Sequence, residues 1–182
     1  MSSFEDMSST FVEVTASMAA PLRGKKRWAY LARQKTIRLA TTDEDGSIYL
    51  SSLWYVVRNE TIYLPVDAAS KHGVNFEAQR GFAALVDSGD EFATVAGVRI
   101  FGTTSKVDDP ALFDTLQDLV FEKYFYVGHP YAEPYFEFGH TVGRTYYALT
   151  PTKMIGWDSR EISAPQAVES RLLPDSVTDR RI

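Results

Sequence analysis

The chain contains no cysteine. Disulfides, thiolate nucleophiles and cysteine-zinc sites are therefore excluded. Histidine is scarce: His72, His129 and His140 are the only three, and none stands at a zinc-ligand spacing. No apolar run approaches the roughly 20 residues of a membrane span. The opening "MSSFEDMSST" lacks the basic and apolar regions of a signal peptide, so a reduced, cytoplasmic setting is expected. Positive charge is also in deficit. The formal net charge is −5, which argues against a nucleic-acid partner.

Recognisable catalytic signatures are missing too. No G-x-G-x-x-G follows a strand, and there is no G-x-x-x-x-G-K and no G-x-S-x-G. Carboxylates are scattered over turns and helix faces. Any chemistry is then expected to come from a bound cofactor, which the protein would hold and orient.

What is present is enough for one domain: 182 residues, 45% hydrophobic and 13% aromatic. Residues 1–20 read as a loose arm, 21–158 as the folded domain and 159–182 as a tail. "KKRWAYLARQ" (25–34) predicts a short amphipathic helix. The basic group Arg23, Lys25, Lys26 and Arg27 reads either as a solvated helix start or as a patch for an anion. "TIRLATT" (36–42) alternates like a strand, and "DEDG" (43–46) is a hairpin turn. "SIYLSSLWYVV" (47–57) reads as one long strand. Its two faces, Ile48/Leu50/Ser52/Trp54/Val56 and Tyr49/Ser51/Leu53/Tyr55/Val57, are both mostly apolar, so both are expected to be covered. "TIYLP" (61–65) pairs back on it, and "KHGVNFEAQ" (71–79) is a short helix.

Further along, "GFAALVD" (81–87) is a strand. "TVAGVRIFGTTSKV" (94–107) is another, with Gly97 and Gly102 marking expected bends. A helix begins at Pro110 behind an aspartate cap. Residues 124–143 are aromatic and broken by prolines. They predict short helical pieces that either pack or line a planar pocket. Residues 144–158 supply a last strand or pair of strands. The sum is a mainly β, α+β fold of six or seven antiparallel strands, because the early connections are too short for crossovers.

One stretch raises a functional question. Ser70, Lys71 and His72 open a helix just after a strand. Helix N-termini carry free N–H groups and partial positive charge, so this trio reads as a phosphate cradle, or as a plain cap with a solvated lysine. The strand beside it offers Ser51, Ser52, Trp54 and Tyr55 as a wall for a flat ring.

Three segments in order resemble the split-barrel family of pyridoxamine-phosphate oxidase and the flavin/deazaflavin oxidoreductases of actinobacteria. They are "IRLATTDEDGSIYLSSLWYVV" (37–57), "SKHGVNFEAQRGFAALVDSGD" (70–90) and "GVRIFGTTSKV" (97–107); "GWDSRE" (156–161) is similar to the end of the last strand in some members. The resemblance implies an FMN-binding-protein-like split β-barrel homodimer with cofactor sites at its interface. The implied cofactor is the deazaflavin coenzyme F420, with FMN as the alternative, and the implied activity is hydride transfer to a small unsaturated or heteroaromatic acceptor. Carried over residue by residue, Ser51 to Tyr55 border the ring, and Ser70, Lys71 and His72 meet the phosphate. Asn75 lies on the supporting helix, and Trp157 and Arg160 reach the site from the partner. The chain departs from the family in placing His72 where a lysine is usual, three before Asn75, and Gln79-Arg80-Gly81 where "d-P-r" is usual.

Overall fold

A computed structural model describes residues 19–161 except residue 92. The expected arm over 1–20 and tail over 159–182 therefore fall mostly outside the described residues. In chain order the elements are β1 (Ala20–Pro21), α1 (Gly24–Arg33), β2 (Ile37–Thr42), β3 (Ile48–Leu53), β4 (Val56–Arg58) and β5 (Thr61–Asp67). There follow α2 (Lys71–Glu77), β6 (Phe82–Ser88), β7 (Ala96–Lys106), α3 (Pro110–Tyr124), α4 (Ala132–Gly139) and β8 (Arg144–Asp158), then a three-ten turn at Ser159–Glu161. All pairings are antiparallel, in the order β3-β2-β6-β7-β8-β5-β4, with β1 added on β8. The expected mainly β, α+β split barrel is the fold observed, with eight strands among the described residues and not six or seven, because Ala20–Pro21 adds a short strand and residues 47–57 supply two.

Local sequence accounts for much of it. Gly46 takes a positive φ in the turn joining β2 to β3. The two-residue link Asn59-Glu60, both with positive φ, closes the β4–β5 hairpin between paired Arg58 and Thr61. Asp109 caps α3 through Ala111 N–H, with proline at its first position. The register shifts between Phe101 and Gly102, where a bend was expected. Gly97 shows no such shift. It leaves room for the Trp157 ring, which a Cβ would strike.

The expected single strand over 47–57 is two. β3 lies at one end of the strand order and β4 at the other, yet only Trp54 and Tyr55 separate them in the chain. The three Cα steps from Leu53 to Val56 span at most about 11 Å, so the sheet has to curl until its first and last strands come close. This step makes the barrel, and it explains Tyr55. At the seam the backbone leaves one edge before joining the other, and α3 supplies the missing partners. Tyr55 N–H donates to the Tyr124 hydroxyl at 2.9 Å, and Tyr55 C=O accepts from Lys123 Nζ at 2.9 Å and lies 2.8 Å from the Tyr124 hydroxyl.

Two apolar clusters fill the fold. The larger lies inside the curl, with Leu31, Ile37, Leu39, Leu64, Val86, Val98 and Ile100 fully buried. The smaller packs α3 on β4 and β8 through Leu116, Val120, Val56 and Tyr146. The outer face of β3 is not covered within the chain, contrary to the expectation for both faces: Ile48 and Leu50 are 67% and 64% exposed. Among the described residues no helix is long and apolar enough to cross a membrane.

Candidate functional site

The pleat decides which side chains can meet. Thr41 pairs with Tyr49, and Leu39 with Ser51, so Tyr49, Ser51 and Leu53 share the inner face with buried Leu39 and Thr41. Ser52 and Trp54 point to the outer side. The expected ring wall of Ser51, Ser52, Trp54 and Tyr55 is thus divided. Tyr55 belongs to the core: it is fully buried and its hydroxyl donates to Leu31 C=O at 2.5 Å. Trp54 stacks on Tyr124 with centroids 4.3 Å apart and planes 10° apart, and its indole is 40% exposed.

At the inner corner, α2 packs against the end of β2 and builds a connected polar network. Ser51 Oγ lies 2.7 Å from His72 Nε2, and His72 Nδ1 lies 2.9 Å from Thr41 Oγ1. Asn75 Nδ2 donates to Thr41 Oγ1 at 3.0 Å and to Asp43 Oδ1 at 2.7 Å. Lys71 Nζ donates to Asp43 Oδ2 at 2.6 Å, and Arg80 Nη1 to Asn75 Oδ1 at 2.7 Å. Tyr49 closes one side, its ring tilted against the imidazole at 4.7 Å. Helix α2 can come this close because residue 73 is glycine: a Cβ there would overlap the Asp67 and Ala68 carbonyls.

Ser70 caps this helix, its hydroxyl accepting from Gly73 N–H and donating to Asp67 C=O. Lys71 is exposed but committed to Asp43. The pair lowers the Asp43 pKa, with Asn75 helping, and raises that of Lys71. His72 is buried, and burial pushes its pKa below the usual imidazole value, against a weaker upward pull from Asp43. Asn75 is the hub of the network. Three members were not singled out by sequence reasoning: Thr41, Asp43 and Arg80. The first two read as a strand residue and a turn residue, and only the long-range packing of α2 discloses them. Among the described residues Arg80 has no carboxylate partner.

Trp157 and Arg160 do not join this corner within one chain. Tracing Ser51 across paired Leu39, Ala84, Ile100 and Met154 crosses four strand spacings, about 19 Å along the sheet. Arg160 instead grips Asp158 with two nitrogens at 2.8 and 2.7 Å. Arg99 lies over the Trp157 ring at 5.7 Å. The basic residues at 23–27 sit around the start of α1, where Lys26 pairs with Glu161.

A shallow groove of about 470 Å³ opens on the outer face, lined by Ala40, Thr42, Ile48, Gly81, Phe82, Ala83, Phe101 and Gly102 among others. That volume is in the usual range for small-ligand sites. The groove opens mainly on the face of β2, β6 and β7 opposite the polar corner, and Thr41 borders both. From β3 only Ile48 lines the groove, and among the described residues β3 pairs with β2 alone, leaving its other edge unpaired. Among the described residues no group of three His, Asp or Glu could hold a metal.

A family profile described as pyridoxamine 5'-phosphate oxidase matches residues 25–157. The chain belongs to this family. Among solved structures, the conserved hypothetical protein Rv2991 of Mycobacterium tuberculosis superimposes with a TM-score of 0.66 at 22% identity, over 81% of this chain and 95% of that one. An FAD-binding protein from Mycobacterium smegmatis gives 0.54 at 16% identity, over 75% and 95%. HutZ, the heme storage protein of Vibrio cholerae, gives 0.59 at 15% identity, over 78% and 99%. At these identities the likeness is one of fold. No curated protein matches the chain.

Proposed function

We propose that this family member is a cofactor-dependent oxidoreductase whose flavin-type cofactor lies along the outer edge of β3. Coenzyme F420 is the first assignment and FMN the alternative, with a small unsaturated or heteroaromatic molecule as acceptor. The observation that carries the reading is a family match spanning the barrel, together with an edge strand flanked by polar donors on one side and bare apolar residues on the other. The residues suit such a group. Ser51 and Arg80 offer donors for an anionic or carbonyl oxygen, and Ile48, Leu50 and Phe101 offer apolar surface for a planar ring. A bound ring of this kind supplies the hydride or electron transfer. The chain's own part is to hold it, orient it and keep water from its face.

The bare outer face also supports a homodimer. Ile48, Leu50, Phe101 and Ile155 are all exposed large apolar residues on it, and a patch of this kind calls for a partner. A second copy covers the face and encloses the ring, and it is the route by which Trp157 and Arg160 of one subunit approach the corner of the other. In sedimentation equilibrium the wild type is expected to be a dimer and Leu50→Glu a monomer.

The direct test is absorbance and fluorescence titration with F420 and with FMN. Saturable binding of either sustains the reading, and no binding of both ends it. A second reading, a flavin-binding module without turnover, is favoured by one observation: the corner's imidazole is buried, and burial pushes its pKa down. A bound cofactor that, once reduced, passes its electrons to no acceptor would select this second reading.

A further inference from the structure

The Ser51–His72 contact looks at first like a serine nucleophile and its base, 2.7 Å apart. The rest of the network decides otherwise, because its hydrogen bonds can run in one direction only. Asp43 is an acceptor and Arg80 a donor, and Asn75 lies between them. Its amide nitrogen must therefore face Asp43 and its oxygen Arg80, since the flipped amide would set oxygen against carboxylate and NH₂ against guanidinium. The same amide nitrogen donates to Thr41 Oγ1, so Thr41 accepts there. Thr41 is buried, and of its two side-chain partners only His72 Nδ1 can take its hydroxyl proton. Nδ1 is then an acceptor. The single proton of the neutral ring resides on Nε2, which donates to Ser51 Oγ.

From this polarity we infer that His72 is a positioning residue that fixes Ser51 as a hydrogen-bond donor toward ligand, and that Ser51 is not a nucleophile. With one lone pair taken by the imidazole N–H, the part-buried Ser51 hydroxyl keeps its proton for a further acceptor. It recognises an acceptor oxygen of the ligand. Resting on the proposed cofactor reading, that oxygen belongs to the phosphate or to a ring carbonyl of the flavin-type group. A base at Nε2 would need a lone pair there, and that nitrogen carries the proton. Burial of the ring, with only Asp43 pulling the other way, keeps it in this neutral form near pH 7.

The test begins with the protein alone. In the double variant His129→Gln/His140→Gln, His72 is the one histidine left, and long-range proton–nitrogen NMR at pH 7 reads its tautomer. A protonated Nε2 with a bare Nδ1 is expected; a protonated Nδ1 or an imidazolium overturns the inference. Labelling of Ser51 by a fluorophosphonate would overturn it as well. The second arm compares affinities for FMN and for riboflavin. Ser51→Ala should weaken FMN binding about tenfold, the effect of one lost hydrogen bond. Riboflavin binding falls in parallel if the partner is a ring carbonyl and is spared if it is the phosphate. His72→Gln, which can accept from Thr41 and donate to Ser51, should retain affinity that His72→Ala loses. Unchanged affinity in Ser51→Ala overturns the donor role. If the wild type binds neither FMN nor F420, the cofactor reading fails, while the tautomer still decides whether the polarity is as inferred.

Discussion

Two flanks of the barrel are built on opposite principles. At the α2 corner, Ser51, His72, Thr41, Asn75, Asp43, Lys71 and Arg80 form one connected hydrogen-bonded network. At the α3–α4 flank, Trp54, Phe121, Tyr124, Phe125 and Tyr135 meet ring on ring, with centroids 4.3 to 6.0 Å apart. Directional bonds tolerate one arrangement, whereas ring contacts are broad and can repack. The corner is therefore the part of this molecule built to hold one geometry, and the flank is the part able to adjust.

The sharpest way to break this contrast is to remove the corner's hub. Asn75→Leu removes a donor from buried Thr41 and from Asp43 and the acceptor facing Arg80, at about 1–3 kcal/mol for each lost partner most fully closed from water. A loss of about 4 kcal/mol is expected from urea unfolding, and a loss below about 1 kcal/mol would show that the network is slack. Next come two glycines, one on each flank. In Gly73→Ala the new methyl meets backbone carbonyls, which cannot turn aside. In Gly139→Ala it meets the Gln117 side-chain amide, which can shift only by loosening its hydrogen bond from the Tyr146 hydroxyl. Overpacking predicts about 3 kcal/mol for the first and about 1 kcal/mol for the second, and equal losses would erase the distinction.

The acid limb sharpens the same point. His72 holds its folded pKa below 6.5 because it is buried. As pH falls from that value the unfolded chain takes up the proton first, so the stability of the neutral imidazole, complete above it, is lost on the way down to the folded pKa. Thermal melts should decline over this range in the wild type, and that component should vanish in His72→Gln. The smallest effect is expected on the flank. Trp54→Phe keeps a ring against Tyr124 and should change stability by less than about 1 kcal/mol.

Local chemistry was readable from the sequence wherever one turn or cap suffices. Gly46 in its hairpin, Asp109 before Pro110, Ser70 as a cap and the bend at Gly102 all stand where residue preferences put them. The step at Trp54-Tyr55 was not readable, because an unbroken apolar alternation gives no sign that the strand changes edges. Nor was the corner, whose members lie on β2, its turn, β3, α2 and the loop after it. Nothing local in Thr41 or Asp43 tells of a helix 30 residues on. Lys123 is a similar case: burial lowers its pKa to about 8, and its Nζ sits over the Tyr55 ring at 3.8 Å. The sequence shows only an ordinary charge near the end of a helix.

The β3 edge and its polar corner are proposed to hold a flavin-type cofactor. Equilibrium titrations of F420 and of FMN, run side by side on the wild type and Ser51→Ala, test this most directly. Saturable binding of one of the two, weakened about tenfold by the substitution, is the predicted result. Failure of the wild type to bind either compound, at concentrations where the barrel is folded, would contradict it.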